Sequence, residues 1–233
     1  MKHFIFIFLI SLCCLNVTAQ NTEQLMNKGI DKFGLGKYDE AMEYFNQIIK
    51  IDSLNGKAYN AKGLCLKELN KHSESIAEFD KAIKLNYTNA YFNRGFAFQE
   101  LKKYNEAILD YNMCIKYNPS DADAYNDRGY AKYLLHDMKG AMDDYDMAIK
   151  FNPELIITYN NRAVIYEDKK DYKAAIREYS SIIDIDQKNA DAYFNRAAAK
   201  FNLHDKSGAC DDYTKAFELG MTGIQQEMDE ACK

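Results

Sequence analysis

The sequence lacks the short motifs by which catalytic and metal sites are usually recognised. Its 233 residues contain no His-x-x-x-His pair, no Cys-x-x-Cys pair and no glycine-rich phosphate loop. His72, His136 and His204 fall in or beside the expected turns between paired helices, where they are interpreted as ordinary turn residues. We therefore expect a protein that is not an enzyme and that has no cofactor, no metal site and no catalytic residue.

Three further absences narrow the class of protein. The formal net charge is −5 and the basic residues form no stripe, so nucleic acid is not an expected partner. No low-complexity linker interrupts the chain, which argues against a second kind of domain. Beyond residue 15, no segment is apolar enough to cross a membrane.

The amino terminus has the features of a secretory signal. A basic start at Lys2 precedes an apolar run over 4–15, and a small-residue site ends at Ala19. We expect residues 1–19 to be cleaved and the protein to be exported to a periplasmic or extracellular location.

Two alternatives for this segment stay open, and both would leave the protein associated with the envelope. In one, residues 1–19 stay in place as an uncleaved anchor. In the other, Cys13 or Cys14 is lipidated, although Leu12 and Cys13 stand where a lipoprotein signal prefers Gly, Ala or Ser.

What the chain does contain is a repeated pattern, Tyr-x-Asn-Arg followed by Gly or Ala. Its small residue returns at intervals of 34, 32, 34, 34 and 34 residues, at Gly29, Gly63, Gly95, Gly129, Ala163 and Ala197. A period of this length predicts a solenoid in which each repeat buries its apolar face against its neighbours. Solenoids mostly hold other molecules, which points to a binding function.

Each repeat has the pattern of a helical hairpin. Numbered from its start, it has a small residue at positions 8 and 20, which lets two helices approach closely, and an aromatic residue at position 24 beside them. The aromatic residues are Phe45, Phe79, Tyr111, Tyr145, Tyr179 and Tyr213. The turn signals Asn118-Pro119 and Asn152-Pro153 then end the second helix.

This pattern resembles the tetratricopeptide repeat family, with Tyr in place of its Trp and a closing Pro only at Pro119 and Pro153. The resemblance implies an all-α, right-handed superhelical solenoid of six helix-turn-helix repeats, thirteen helices in all with a C-terminal capping helix. The first helices would line a concave groove. The predicted segments are repeats at 22–55, 56–87, 88–121, 122–155, 156–189 and 190–220, with the capping helix at 221–233.

Charged residues follow the repeat as well. Position 7 is basic in every repeat, and position 23 is acidic in repeats two to six. Pairing inside each repeat leaves no acid alone, whereas pairing between repeats would isolate Asp212. We therefore predict the intra-repeat pairs Arg94–Asp110, Arg128–Asp144, Arg162–Glu178 and Arg196–Asp212.

Two sets of first-helix residues are candidates for binding a partner. Position 6 carries Asn27, Asn93, Asn161 and Asn195, whose amides can both donate to and accept from a peptide backbone. They resemble the asparagine ladder of O-linked N-acetylglucosamine transferase. The alternative is that these amides tie neighbouring helices together.

The second set is an aromatic stripe at positions 5, 9 and 12, which usually marks a partner site. Its aromatic members are Phe92, Phe96, Tyr130, Tyr133, Phe194 and Phe201. The alternative is packing between adjacent first helices, which fits position 9 better than positions 5 and 12.

The cysteines divide into two groups. Cys65 and Cys114 occupy packing positions and are expected to be free buried thiols. The closing run from Gly208 to Cys232 resembles the terminal repeats of exported bacterial members of the family, and an exported protein can keep a disulfide. That resemblance predicts a Cys210–Cys232 bridge.

The one 32-residue interval predicts an irregular junction. Two residues are missing from the turn before the third repeat, so its first helix should begin late and be about half a turn shorter, with Thr88 or Asn89 as its cap. We expect a changed rotation between repeats at Leu85–Ala90.

Taken together, these patterns predict a non-catalytic protein- or peptide-binding scaffold of the cell envelope that holds its partner in the groove. The alternative is a structural spacer or assembly subunit that uses the edges or ends of the solenoid. The sequence does not identify the partner.

Overall fold

The computed structural model describes residues 20–233, and these residues form thirteen α-helices and no strand. This confirms the predicted all-α helical repeat for the part of the chain described. The predicted signal at 1–19 and the candidate lipidation sites Cys13 and Cys14 lie outside it. Within residues 20–233, no helix is both long and apolar enough to span a bilayer.

The helices alternate as the first and second members of hairpins, with a short helix at the end. Helix α1 covers residues 20–34 of the described chain. The others are α2 Tyr38–Ile51, α3 Gly56–Glu68, α4 His72–Lys84, α5 Ala90–Glu100, α6 Tyr104–Tyr117, α7 Ala122–Leu134, α8 Met138–Phe151, α9 Ile156–Asp168, α10 Tyr172–Ile185, α11 Ala190–Asn202, α12 Lys206–Glu218 and α13 Gln225–Ala231.

The chain divides into two compact units, one ending at Pro119 and the other beginning at Ser120. The N-terminal unit holds α1–α6, and the C-terminal unit holds α7–α13. In both, the small residue at position 8 lies against the aromatic residue at position 24. A Cβ at Gly63 would come within 2.5 Å of the Phe79 ring, and one at Gly129 within 2.8 Å of the Tyr145 ring. These glycines let the two helices of a hairpin pack in contact.

Helix starts follow local capping chemistry. The side chains of Asn55, Asp121 and Asn189 accept from the backbone amide three residues on, at 3.0, 3.0 and 2.9 Å, and so begin α3, α7 and α11. Turns inside hairpins close through a left-handed residue, and His136 and His204 are two of these, at φ 63° and 65°. Their prediction as turn residues is confirmed.

The junction between the second and third repeats differs from the others as predicted in length but not in capping. Helix α5 has 11 residues, whereas α3, α7, α9 and α11 have 13. The predicted cap is wrong. Asn89 already has helical angles, and its side chain makes no capping bond. In the turn between α4 and α5, Asn86 takes a left-handed conformation, at φ 61°. The changed rotation between repeats remains a prediction.

A ladder of ion pairs joins the two helices of the hairpin in repeats two to six. The shortest N–O distances are 2.6 Å for Arg94–Asp110, 2.7 Å for Arg162–Glu178 and 2.7 Å for Arg196–Asp212. Nε of Arg128 donates to Asp144 at 2.9 Å. The predicted intra-repeat pairing is therefore confirmed.

Arg162 and Arg196 also reach the preceding repeat, which the sequence pattern did not indicate. Arg162 contacts Asp146 at 2.6 Å, and Arg196 donates to the Ser180 hydroxyl at 3.1 Å. Each guanidinium lies over the tyrosine three residues before it, for example 5.2 Å from the Tyr125 ring centre for Arg128. In the C-terminal unit, the ladder thus joins the two helices of a repeat and also links neighbouring repeats.

The carboxyl-terminal helix is fixed by packing and by a covalent bond. Ile224 and Ala231 are buried against Tyr213 and Ala216. A disulfide joins Cys210 to Cys232, with 5.0 Å between their Cα atoms, as predicted. Cys65 and Cys114 are buried cysteines outside this disulfide, also as predicted. Burial raises the pKa of the Cys65 thiol to about 12.

Candidate functional site

The candidate partner-binding residues lie on the first helices of each unit, and each unit presents its own set. We call the surface of α1, α3 and α5 the N-terminal first-helix face, and that of α7, α9 and α11 the C-terminal first-helix face. Exposure along both follows repeat position. At position 9, Ile30, Tyr130 and Val164 are 49%, 36% and 39% exposed.

Position 5 packs more deeply than position 9, which reverses the packing order expected from sequence. Met26, Asn60 and Asn126, all at position 5, are buried. Position 9 is therefore exposed in repeats one, four and five, whereas Asn60 and Asn126 at position 5 bond to the next first helix.

The predicted asparagines are partly used inside the protein. Nδ2 of Asn93 donates to Oδ1 of Asn60 at 2.9 Å, and Nδ2 of Asn161 donates to Oδ1 of Asn126 at 3.1 Å. Asn27 is exposed and Asn195 is half-buried. These two hydrogen bonds join neighbouring first helices, and each uses one amide N–H group, of Asn93 or of Asn161. The binding role of all four remains a prediction.

The aromatic residues of the N-terminal face are half-buried. Phe92 packs tilted against Tyr111, with 5.8 Å between ring centres. Phe96 lies beneath the ammonium of Lys67, which is 4.9 Å from its ring centre. Phe96 and Lys67 line a shallow cavity of about 260 Å³, together with Glu68, Asn70, His72 and Glu100.

In the C-terminal face, two of the predicted aromatic residues form a stacked pair. Tyr130 and Tyr133 have ring centres 6.4 Å apart, and the Tyr133 hydroxyl donates to Asp168 at 2.9 Å. Further along, Phe194 packs tilted against Tyr213 at 5.4 Å, and Phe201 lies against the same core. Tyr130 and Tyr133 thus differ from Phe194 and Phe201, because the pair contacts the polar side chain of Asp168.

Acidic residues beside this pair were not singled out by sequence. Asp127 takes position 6, where four of the other repeats have asparagine, and accepts from Asn126 at 2.9 Å. Burial, together with the charges of Asp123 and Asp121, raises the pKa of Asp127 to about 6 despite that hydrogen bond. Burial also raises the pKa of Glu167, which accepts from the Tyr179 hydroxyl at 3.1 Å.

The described residues give no sign of a metal centre. Between residues 20 and 233, no group of three or more His, Cys, Asp or Glu side chains is arranged to hold a metal ion.

Comparison with known proteins identifies the repeat. Profiles described as tetratricopeptide repeat match residues 26–90, 88–121 and 157–189. No curated protein sequence matches the chain significantly.

Solved structures share the fold at low sequence identity. The structure of pilF from Pseudomonas aeruginosa superposes with a TM-score of 0.77 at 14% identity, over 93% of this chain and 99% of that one. A tetratricopeptide repeat protein from Parabacteroides merdae gives 0.67 at 18%, over 92% and 100%. YrrB, a TPR protein with an unusual peptide-binding site, gives 0.62 at 17%, over 80% and 97%.

These likenesses agree with the repeat pattern, the helical hairpins and the position-8 contacts described above. The family profiles together cover more than half of the sequence. Members of the family are generally scaffolds for protein–protein interaction and usually not catalysts. The chain belongs to the tetratricopeptide repeat family.

Proposed function

We propose that the chain is an exported, non-catalytic scaffold of the cell envelope that holds a protein or peptide against its first-helix faces. The observation that carries the proposal is the exposed surface of Tyr130 and Val164 beside the amide of Asn161. An apolar, accessible strip next to side-chain amides offers a peptide both packing area and hydrogen bonds.

The geometry leaves hydrogen-bonding capacity on each of the two first-helix faces. Asn93 and Asn161 use an amide N–H group within the fold, and the described residues donate no hydrogen bond to their Oδ1 atoms. An extended peptide can satisfy these oxygens with its backbone N–H groups. Such contacts hold a chain without selecting its side chains, so neighbouring residues would provide the selectivity.

Export is part of the proposal and rests on the predicted signal at 1–19. Sequencing the amino terminus of protein recovered from the envelope or medium tests it, because cleavage after Ala19 leaves Gln20 as the first residue. Recovery of the chain from the cytoplasm with Met1 in place would contradict export.

Second helices also expose apolar residues, which favours the spacer as a second candidate. Leu109 on α6 is 65% exposed and Phe217 on α12 is 51% exposed. A spacer or assembly subunit could use these residues to contact other chains, leaving the first-helix faces empty.

Site-specific photocrosslinking separates the two candidates. A photoreactive phenylalanine analogue is placed at Tyr130 or Val164, and at Leu109 or Phe217 for comparison. The proposed function predicts a discrete crosslinked partner from the first pair of sites and none from the second. The reverse pattern would support the spacer and contradict partner binding at the first-helix faces.

A further inference from the structure

Three carboxylates of the C-terminal first-helix face have no cationic partner. Asp127, Glu167 and Asp168 accept hydrogen bonds from the neutral groups of Asn126, Tyr179 and Tyr133. Among the described residues, no Lys, Arg or His forms a salt bridge with any of them. The ladder acids Asp144, Glu178 and Asp212, in the same unit, each have a cation.

A buried hydroxyl beside these acids is also left without a partner. Tyr145 is fully buried, and its hydroxyl makes no hydrogen bond within the described residues. It lies close enough to Tyr130, Tyr133 and Asp127 for their charges to raise its pKa, although burial is the larger cause. The corresponding hydroxyl of Tyr179 donates to Glu167. Where repeat five has that glutamate, repeat four has Tyr133, so Tyr145 lacks the acceptor that Tyr179 has.

The aromatic pair offers a surface on which a cation is stabilised. In the N-terminal unit, the aromatic residue at position 9, Phe96, is covered by the chain's own Lys67 at 4.9 Å. Tyr130 occupies the same position in repeat four, yet no cation of residues 20–233 lies over Tyr130 or Tyr133. A lysine or arginine over these rings would make the contact that Lys67 makes with Phe96.

We propose that the C-terminal first-helix face binds a lysine or arginine side chain of the partner, with its methylene groups against Tyr130 and Tyr133 and its charge attracted by the Asp127 and Asp168 carboxylates. This inference rests on the proposed function, since it names the chemistry that the face selects. An acidic side chain would be repelled by the carboxylates. An apolar side chain would leave both carboxylates without an opposite charge.

Selection from a random dodecapeptide library displayed on phage tests the proposal on the full protein. Three variants are compared with the parent: Asp127→Asn, Asp168→Asn and Asp143→Asn. Asp143 is exposed on α8, so its substitution removes the same charge away from the face. We expect peptides rich in Lys or Arg, whose binding weakens about tenfold with Asp127→Asn or Asp168→Asn and stays unchanged with Asp143→Asn.

Replacing the critical lysine of a selected peptide by norleucine supplies the second measurement. Norleucine keeps the methylene chain and removes the ammonium. We expect the norleucine peptide to bind the parent about tenfold more weakly than the lysine peptide does. For Asp127→Asn, the difference in affinity between the two peptides should be smaller. Because the norleucine comparison with the parent changes only the peptide, its loss of binding cannot be attributed to unfolding of the protein.

The remaining outcomes separate this inference from the function on which it rests. Selected peptides without basic residues that still depend on Tyr130 would overturn the basic specificity and leave the binding function standing. Equal binding of lysine and norleucine peptides would do the same. If no peptide is enriched, the inference is overturned, and crosslinking at Tyr130 then decides the proposed function.

Discussion

Carboxylates occur in two contrasting settings in the C-terminal unit. In the ladder, Asp212 is buried yet receives hydrogen bonds from both Arg196 and Lys200. On the first-helix face, Asp127 is half-buried and receives only a neutral amide hydrogen. Burial costs both acids hydration, but only the ladder acids recover it through an opposite charge.

The pKa values of the two acids are therefore shifted in opposite directions. Burial alone would raise the pKa of Asp212, but the hydrogen bonds from Arg196 and Lys200 bring it below its ordinary value. For Asp127 burial prevails, and the pKa rises to about 6. The ladder acids are neutralised by arginine and lysine side chains within the fold, whereas the carboxylates of the face keep a charge that a partner can neutralise.

The largest effect should come from breaking the ladder. Arg162→Met leaves Glu178 buried without its guanidinium and should lower the free energy of unfolding by about 3 kcal/mol. Denaturant unfolding measures this. Arg177→Met, on the exposed side of α10, is the control and should change stability by less than about 0.5 kcal/mol. Equal effects of the two substitutions would show that the ladder adds nothing to ordinary surface charge.

The ladder was predictable because its geometry follows from spacing alone. A fixed offset of 16 residues in every hairpin brings positions 7 and 23 together wherever the helices pair. The contacts to Asp146 and Ser180 were not predictable in the same way, because they depend on how neighbouring repeats stack.

The C-terminal face was only partly predictable for a related reason. Tyr130 and Tyr133 stood out as aromatic residues in a stripe, whereas the acids beside them did not. Whether the hydroxyl at position 24 has an acceptor depends on the residue at position 12, which is Glu167 in repeat five and Tyr133 in repeat four. The wrong cap at Asn89 arose because the left-handed turn at Asn86 cannot be read from composition.

Removing the uncompensated charge should stabilise the protein. Asp127→Asn restores the amide found at this position in other repeats, and we expect a gain of roughly 2 kcal/mol at pH 7–8 from the raised pKa. Thermal or denaturant unfolding measures the gain, with Asp143→Asn as the charge-matched control. A loss of stability would contradict the contrast between ladder and face.

That gain should depend on pH in a defined direction. The folded pKa of Asp127 lies above its unfolded value near 4, so the parent binds a proton on folding between about pH 4 and pH 6. The parent therefore recovers stability as pH falls. The difference between Asp127→Asn and parent should be full above pH 6 and vanish below pH 4. A difference that is constant with pH would indicate a packing effect.

The smallest effects concern two tyrosine hydroxyls at the same repeat position. Tyr179→Phe removes a hydrogen bond to Glu167 and should cost about 1 kcal/mol. Tyr145→Phe removes a buried hydroxyl without a partner among the described residues, so stability should stay level or rise. Comparing the two unfolding curves is the measurement. A greater loss for Tyr145→Phe would mean that its hydroxyl is already satisfied.

The central claim, that the face carries a charge the fold does not neutralise, is tested most directly by titrating the aspartate side-chain carbons of the full protein by ¹³C NMR. The account predicts that Asp127 titrates at about pH 6 and Asp212 below the ordinary aspartate value. Titration of Asp127 at or below the pKa of Asp212 would contradict it.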